Sequence, residues 1–282
     1  MTARSWLVPL ALAVVGFVVC FPLAVLIVGS FMGNEELAST LGGVVAPGAG
    51  FANAPLVPSR PTLASYVAVL VDTPAYHVLV QNSAIIVVGA LAGQAVFATP
   101  AAWALARFNF PGKRAVFFLY VLLMMLPFQV VMLPNYLVLN ALGINDTLLA
   151  VVLPGAFSAF PVFIMHHFFA SVPDSLVDAA RLDGAGEWRV FWSIGLPLGA
   201  PGVFAALVLG FFEYWNAVEQ PLAFLKNQAL WPLSLFQPAL SAETVGTLFA
   251  AAVVATVPAV LVFLMGKDYL EQGIAATTGK DR

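Results

Sequence analysis

The sequence predicts an all-α membrane protein that crosses the bilayer with six helices. Hydrophobic residues make up 61% of its 282 residues and charged residues only 9%, whereas soluble domains carry about 25% charged residues. Six separate stretches are apolar over roughly the 20 residues that a membrane-spanning helix needs. The basic residues gather in alternate connections between these stretches, as the positive-inside rule requires. These three observations predict the fold class.

The six predicted spans are long apolar runs separated by polar or glycine- and proline-rich connections. They are Trp6–Phe31, Val78–Ala106, Ala115–Leu139, Leu148–Ala170, Ala200–Asn216 and Val245–Met265. The first follows Arg4 and resembles a secretory signal, but its apolar run is too long and no small-residue cleavage site follows it. We therefore expect it to be retained as the first transmembrane helix.

The eleven Lys and Arg residues predict that both termini lie in the cytoplasm. With the N-terminus inside, only Arg60 and Lys226 fall in external segments, and the other nine fall in cytoplasmic ones. These nine are Arg4, Arg107, Lys113, Arg114, Arg181, Arg189, Lys267, Lys280 and Arg282. Cytoplasmic connections carry such an excess of basic residues. The predicted topology is therefore N-in and C-in.

The connections divide the chain into two predicted domains. Residues 1–77 hold the first span and a long external loop, Met32–His77, that is rich in Gly, Pro, Ala and Ser. Residues 78–282 hold a core of five spans and a cytoplasmic C-terminal tail. A second external loop, about Ala217–Thr244, contains a Trp231-Pro232 pair and Phe236-Gln237-Pro238. Irregular loops longer than about 12–15 residues are usually functional or disordered.

A short charged passage interrupts the core between spans four and five. We call residues 173–197 the elbow; from Val177 it reads VDAARLDGAGEWRVFWSIGLP. Pro173 and Asp174 are typical of a helix start, with the Asp carboxylate capping free N–H groups, and about two helical turns follow over Ser175–Leu182. Asp183-Gly184 predicts a break, since glycine readily takes the left-handed backbone conformation.

A second short helix is predicted over Glu187–Ser193, before prolines mark the return to the membrane. Small residues on the first helix would let another backbone approach, while Trp188, Phe191 and Trp192 would attach the elbow to the bundle. An amphipathic helix that lies on the inner membrane surface is the alternative. The physical pattern alone leaves both interpretations open.

The elbow resembles the conserved cytoplasmic loop of permease subunits of bacterial ABC importers. That family's pattern is Glu-Ala-Ala, three residues, Gly, nine residues, and Ile-x-Leu-Pro. The matching residues, at these spacings, are Asp178, Ala179, Ala180, Gly184, Ile194, Leu196 and Pro197. The one departure is the Asp at the first position, which keeps the charge but shortens its reach by a methylene group.

Three further segments resemble the maltose-type group of carbohydrate permeases. They are the Ala-x-Ala-Arg-Phe-x-Phe-Pro-Gly-Lys element at Ala104–Lys113, the Trp-Asn pair in FFEYWNAVEQPLAFL at the exit of span five, and the C-terminal DYLEQGIAATTGKDR. The similarity covers nearly everything from about Asn82 to the end. It implies a permease subunit of an ATP-driven importer for a mono-, di- or oligosaccharide in a bacterial inner membrane.

The resemblance also implies partners. In the family the loop is a coupling helix that sits in a cleft of a cytoplasmic ATPase. The implied partners are a second homologous permease, two ATPase subunits that carry ATP and Mg, an extracytoplasmic solute-binding protein, and membrane lipid. The tail from Gln272 to Lys280 is also implied to reach the ATPases, with a frayed terminus as the alternative. The residues to which the resemblance assigns ATPase coupling are Asp178, Ala179, Ala180, Asp183, Gly184, Ala185, Trp188, Ile194, Leu196 and Pro197.

The chain itself is not predicted to be an enzyme. It lacks the Gly-x4-Gly-Lys-Ser/Thr phosphate loop of ATPases, and no catalytic residue, metal ligand or cofactor site is predicted in it. Its net charge of −3 gives no basic face for nucleic acid. The competing functions are an ABC importer for a non-sugar solute such as glycerol phosphate, and an ion-driven secondary transporter, which would usually show repeats and several buried ionisable groups.

Polar side chains within the predicted spans are candidates for the substrate pathway. They are Gln129, Asn135, Glu213, Trp215 and Asn216. Hydrogen-bonding groups beside aromatic rings suit a sugar, and Pro127 and Pro134 would loosen the backbone of the third span. Polar contacts that hold helices together are the alternative.

Overall fold

The structure is a computed structural model that describes residues 7–41, 57–236, 241 and 243–277. The described residues form helices, turns and loops, and no strand. Five helical runs are long and apolar enough to cross a membrane: Val8–Ser30, Pro74–Arg107, Leu149–Ser171, Glu187–Trp215 and Val245–Glu271. A sixth span is present if the bent pair Lys113–Met125 and Phe128–Ala141 is counted as one. The predicted all-α membrane fold is confirmed.

The described helices are numbered in chain order. They are α1 (Leu7–Ser30), α2 (Asn34–Thr40), α3 (Ala64–Leu70), α4 (Pro74–Gly93), α5 (Thr99–Arg107), α6 (Lys113–Met125), α7 (Phe128–Ala141), α8 (Leu149–Ala156), α9 (Ala159–Ser171), α10 (Asp174–Leu182), α11 (Glu187–Val190), α12 (Leu196–Trp215), α13 (Glu219–Phe224) and α14 (Val245–Thr277). The chain divides into two compact units: unit 1, Met1–His77 with Gln237–Pro258, and unit 2, Val78–Phe236 with Ala259–Arg282.

Unit 1 is held together by polar side chains at helix ends. Asn34, at the start of α2, accepts a hydrogen bond from the N–H of Gly246 at 2.8 Å and donates one to the C=O of Glu243 at 2.5 Å. It thereby satisfies a backbone N–H that the first turn of α14 leaves without a partner inside the helix. The hydroxyl oxygens of Ser30 and Tyr66 lie 2.6 Å apart. The buried core of unit 1 includes Met32, Leu37 and Val245.

The third predicted span, Ala115–Leu139, is wrong as a single helix. α6 and α7 are separated by a bend of 107°. Leu126 has an extended backbone (φ −73°, ψ 126°), because the ring of Pro127 disfavours the helical conformation of the residue before it. Pro134 lies inside α7 without ending it, so only one of the two prolines has a large effect on the span.

The fifth span begins earlier than the predicted Ala200. A continuous helical run extends from Glu187 to Trp215, and the predicted helix Glu187–Ser193 is its first part. The elbow therefore has no break between its second helix and the membrane span.

Two π-helical turns explain how helices continue past prolines. In a regular α-helix a proline ring collides with the carbonyl four residues earlier. The residue four positions before Pro197 is Ser193, which lies in the π turn Phe191–Gly195. The residue four positions before Pro100 is Val96, which lies in the π turn Gln94–Ala98 between α4 and α5. The wider turn gives the ring space, and the helix axis continues.

The centre of unit 2 is α9, which packs against α5, α6 and α12. Trp103, Phe169 and Phe191 meet in this core and are 3%, 0% and 4% exposed. Glycines let the backbones approach these rings. A Cβ at Gly199 would lie 2.3 Å from the ring of Phe169, and one at Gly195 would lie 2.6 Å from the ring of Trp103.

A second close approach joins α4 to α8. Gly89 and Gly93 are four residues apart on α4, so they share one helix face. A Cβ at Gly89 would lie 2.8 Å from the side chain of Val152, and one at Gly93 would lie 2.2 Å from the Cβ of Ala156. Small residues at this spacing let membrane helices pack at short distance.

Candidate functional site

The elbow contains the predicted helix, break and second helix. α10 ends in a cap in which the N–H of Gly184 donates to the C=O of Arg181 and the N–H of Ala185 donates to the C=O of Ala180, each at 3.0 Å. Gly184 has φ +82°. This hydrogen-bond pair with a left-handed glycine is a Schellman motif, and it gives the predicted break at Asp183-Gly184 a defined geometry.

Asp174 does not cap α10, contrary to the prediction. It is the first helical residue, and Pro173 occupies the cap position without a side-chain hydrogen bond. The Asp174 carboxylate instead accepts a hydrogen bond from Nη1 of Arg107 at 2.5 Å. Nη2 of Arg107 donates to the C=O of Val172. The end of α5 is therefore bonded to the start of the elbow.

Arg181 fixes the angle between the two elbow helices. Its Nε donates to Oε1 of Glu187 at 2.9 Å and its Nη2 donates to Oε2 at 3.2 Å, while Nη1 donates to Oδ1 of Asp178 at 3.2 Å. The hydrogen bond to Glu187, with a further contribution from Asp178, raises the pKa of Arg181. Paired bonds between a guanidinium and a carboxylate fix orientation. Asp178 thus contributes to this brace within its own helix.

The predicted coupling residues separate into a packed group and an exposed group. The packed group lies against the core of unit 2 and consists of Ala180, Ala185, Ile194 and Leu196. The exposed group consists of Asp178, Ala179, Asp183, Gly184, Trp188 and Pro197. Val177, which the sequence did not single out, is 2% exposed and attaches α10 to the bundle, while Leu176 and Leu182 are 46% and 89% exposed. The packed group thus positions the elbow on unit 2, whereas the side chains of the exposed group lie at the surface.

The prediction that three aromatic residues attach the elbow is only partly right. Phe191 is buried, whereas Trp188 and Trp192 are 67% and 60% exposed. The two tryptophans are four residues apart and share a helix face, and the ring of Phe191 contacts both, with centroids 5.8 Å from Trp188 and 5.2 Å from Trp192. Both tryptophans line an apolar cavity of about 730 Å³ that Phe204 also lines.

One polar pair forms at the end of unit 2 opposite the elbow. Nε2 of Gln129, on α7, donates to Oε1 of Glu219, on α13, at 2.9 Å. A cavity of about 330 Å³ opens beside the pair and is also lined by Phe128 and Met132. Glu219 was missed because it lies beyond the end of the predicted span. Its one sequence signal is its position three residues after Asn216 of the Trp-Asn pair.

The other pathway candidates do not join this pair through the hydrogen bonds described. Glu213 and Asn216 are exposed, and the side chain of Asn216 donates to a carbonyl one turn earlier in its own helix at 2.9 Å. Trp215 is half-buried and stacks on Phe211, with ring centroids 5.5 Å apart. Asn135 is half-buried on α7. Gln129 is thus the candidate that the structure joins to a charged side chain.

The loop that follows α12 is bonded to the same end of unit 2. Oδ1 of Asp146 accepts from the N–H groups of Lys226 and Asn227 at 2.8 and 2.9 Å. Asn82 donates to two loop carbonyls at 2.9 and 3.0 Å, and Ser83 accepts from a loop N–H at 2.7 Å. The loop is thereby fixed on unit 2. Gln237-Pro238 and the tail after residue 277 lie outside the described residues.

Comparison with known proteins relates these features to a family. The family "Binding-protein-dependent transport system inner membrane component" matches residues 94–276. The arabinooligosaccharides transport system permease protein AraQ of Halalkalibacterium halodurans is 29% identical over 275 residues, which are 96% of this chain and 94% of that protein. The diacetylchitobiose uptake system permease protein NgcG of Streptomyces coelicolor is 34% identical over 189 residues, which are 64% of this chain and 63% of that protein.

A solved structure has the same fold. It is a crystal structure of a bacterial ABC transporter involved in the import of the acidic polysaccharide alginate, one chain of which aligns with a TM-score of 0.79 and 20% identity over 95% of this chain and 99% of that chain. The family match includes the elbow and more than half of the chain. The chain therefore belongs to the family of binding-protein-dependent transport system inner membrane components, as a multi-pass permease subunit.

Proposed function

We propose that the protein is a permease subunit of an ATP-driven ABC importer and that it forms half of the translocation pathway for a carbohydrate. The observation that carries this proposal is the elbow, whose exposed first helix is capped at Gly184 and braced by Arg181 and whose second helix is continuous with a membrane span. The names of two relatives, which transport arabino-oligosaccharides and diacetylchitobiose, support the carbohydrate cargo.

The exposed face of α10 is the proposed contact with an ATPase subunit. Leu176 and Leu182 offer apolar area, and Ala179 between them lets a partner backbone approach. The partner ATPases supply ATP and Mg²⁺. Because the helix from Glu187 to Trp215 is unbroken, a displacement of the elbow tilts the fifth span as a rigid body. This tilt would open the pathway alternately to the two sides.

The proposal sets the orientation of the chain. The elbow and both termini lie in the cytoplasm of a bacterial inner membrane, as the basic residues predict, and the Gln129–Glu219 pair faces the exterior. A second, homologous permease completes the pathway. The loop after α12, which is bonded to unit 2, would give a solute-binding protein a preformed surface, and the tail from Gln272 to Lys280 is a further proposed contact with the ATPases.

The Gln129–Glu219 pair is the proposed sugar contact of this chain. A carboxylate and an amide offer acceptors and donors to hydroxyl groups, and the ring of Phe128 lines the same cavity. A charged side chain exposed to lipid hydrocarbon is costly, so we place the pair toward the aqueous pathway. Glu213, Asn135, Trp215 and Asn216 remain further pathway candidates.

Uptake measurements test this pair. We expect Glu219→Gln and Gln129→Ala each to lower uptake of a labelled oligosaccharide by about tenfold, since a hydrogen bond to a charged group contributes about 1.5–3 kcal/mol. The assay uses the complete transporter in proteoliposomes with its binding protein in excess. Asn109→Ala, which removes an exposed amide near the elbow, is the matched control. Normal uptake in both variants would remove the pair from the pathway.

The cargo is tested with the same proteoliposomes. We expect uptake of an arabino-oligosaccharide or a chito-oligosaccharide, with unlabelled sugar competing for it. Glycerol phosphate is the non-sugar alternative. Uptake of glycerol phosphate together with no response to any sugar would contradict the carbohydrate proposal and leave the permease assignment intact.

A further inference from the structure

A buried arginine joins the second span to the start of the elbow. Arg107 is the last residue of α5, and its side chain is only 6% exposed. Its guanidinium lies 5.5 Å from the ring centroid of Trp103 and donates to the Asp174 carboxylate and to the C=O of Val172. A buried cation is costly unless it is paired and hydrogen-bonded, so these contacts hold the side chain in one orientation.

The two bonds cross a gap in the helical backbone. Between α9 and α10 the chain is extended, with ψ 128° at Val172 and 132° at Pro173. A displacement of the elbow therefore does not pass directly into α9 through a continuous helix. At the other end of the elbow, the helical run that begins at Glu187 is unbroken, so a displacement of the elbow would pass directly into α12. Arg107 bonds to the residues on both sides of Pro173, so it bridges the gap from α5.

We propose that Arg107 is a positioning residue that makes the elbow and the end of the second span move as one body. Movement imposed on α10 would then reach two spans of the bundle, through α12 directly and through Arg107 into α5. This inference rests on the proposed function, because it concerns coupling through the same elbow. It assigns a role to a residue that lies outside the elbow and that the elbow pattern does not contain.

The chemistry explains why arginine is required here. The planar guanidinium presents two N–H groups in a fixed fork, which bond to a carboxylate and a carbonyl at the same time, and it stacks on an aromatic face. Lysine keeps the charge but is a point donor on a flexible stem. The Asp174 side chain is 86% exposed, and an exposed ion pair alone contributes little. The carbonyl bond and the ring contact therefore make Arg107 more important than its acidic partner.

A distance measurement tests the connection without relying on activity. The chain has one cysteine, Cys20, so Cys20→Ala gives a background for spin labels at Asn109→Cys and Ser175→Cys, which are exposed on the two sides of the connection. In the assembled transporter, we expect a narrow distance distribution that is the same without nucleotide and with ATP. We expect Arg107→Gln and Arg107→Lys to broaden the distance distribution. Arg114→Gln, which removes one positive charge from an exposed side chain, should leave the distribution narrow. A narrow distribution in both Arg107 variants would overturn the proposal.

Coupled activity gives the second readout. We expect Arg107→Gln to reduce the stimulation of ATP hydrolysis by loaded binding protein about tenfold, with the KM for ATP unchanged because ATP binds to other subunits. If Arg107→Gln fails to assemble, Arg107→Lys, which keeps the charge but loses the fork of N–H groups, carries the test, with a smaller loss and a broader distance distribution expected. Parent-like stimulation and a narrow distribution in that variant would also overturn the proposal.

The elbow proposal and this inference fail in different ways. Parent-like stimulation in a Gly184→Pro variant would contradict the proposed function itself. Loss of stimulation in Gly184→Pro, together with parent-like behaviour of the Arg107 variants, would contradict only the role of Arg107.

Discussion

Gly184→Pro should abolish the stimulation of ATP hydrolysis by substrate-loaded binding protein in the assembled transporter. Gly184 has φ +82°, whereas a proline ring fixes φ near about −65° and removes the N–H group. The variant therefore loses both the left-handed turn and the hydrogen bond to the C=O of Arg181. The angle between α10 and α11 would change, and we expect stimulation to fall by about 100-fold, the upper range of coupling between sites.

Two glycine variants control for this experiment. Gly184→Asn should retain most of the stimulation, because asparagine tolerates the left-handed conformation better than other non-glycine residues. Gly186→Ala should behave like the parent protein, since Gly186 has φ −69° and no atom lies within 4 Å of an added Cβ. Stimulation in Gly184→Pro equal to that of the parent would argue against coupling through the elbow.

Gly93→Val should prevent stable packing of α4 on α8. An added Cβ at Gly93 would lie 2.2 Å from the Cβ of Ala156 and 2.9 Å from its Cα. The second contact is with backbone, so the two helices must separate rather than a side chain rotate. Overpacking in a tight interior costs about 1–3 kcal/mol and sometimes more, and we expect a loss of about 3 kcal/mol at this contact. Thermal unfolding of the purified chain in detergent measures the effect.

Gly16→Val is the matched control for the packing experiment. Gly16 also lies in an apolar helix, α1, but no atom lies within 4 Å of its added Cβ. We expect its unfolding temperature to equal that of the parent within the error of the measurement. If Gly93→Val and Gly16→Val unfold at the same temperature as the parent, the close contact between α4 and α8 is not present in the protein.

The helices of the fold could be predicted from the sequence because their signals are local. Each span is a run of apolar residues, and the elbow break is signalled by Asp183-Gly184 in an otherwise helical stretch. The position and size of the bend in the third span were not predicted, because Pro127 and Pro134 look alike in the sequence and both were expected to loosen the backbone. Only the first separates two helices, whereas the second is accommodated within α7. The start of the fifth span was misplaced because a π turn before Pro197 removes the clash that would otherwise end the helix.

The contacts of the candidate site were largely beyond prediction because they join distant residues. A local rule reads Asp174 as a helix cap, and nothing near it indicates Arg107, 67 residues away. Glu219 lies beyond the end of the predicted fifth span, and its partner Gln129 is 90 residues away in the sequence. The exposure of Trp188 depends on whether its face of the helix is turned toward the bundle or away from it. The identity of the aromatic residues in the sequence does not determine that orientation. Residue spacing identified the elbow, and the structure identified what holds it.

Site-specific cross-linking from Ala179 tests the central claim most directly. Ala179 is exposed on α10, and Ala179→Cys in the Cys20→Ala background places a single reactive thiol there. The account predicts a cross-link to a cysteine in the cleft of the ATPase subunit, and protection of the thiol from membrane-impermeant maleimide added outside intact cells. Labelling of the thiol from outside, or the absence of a cross-link to the ATPase subunit in the assembled transporter, would contradict it.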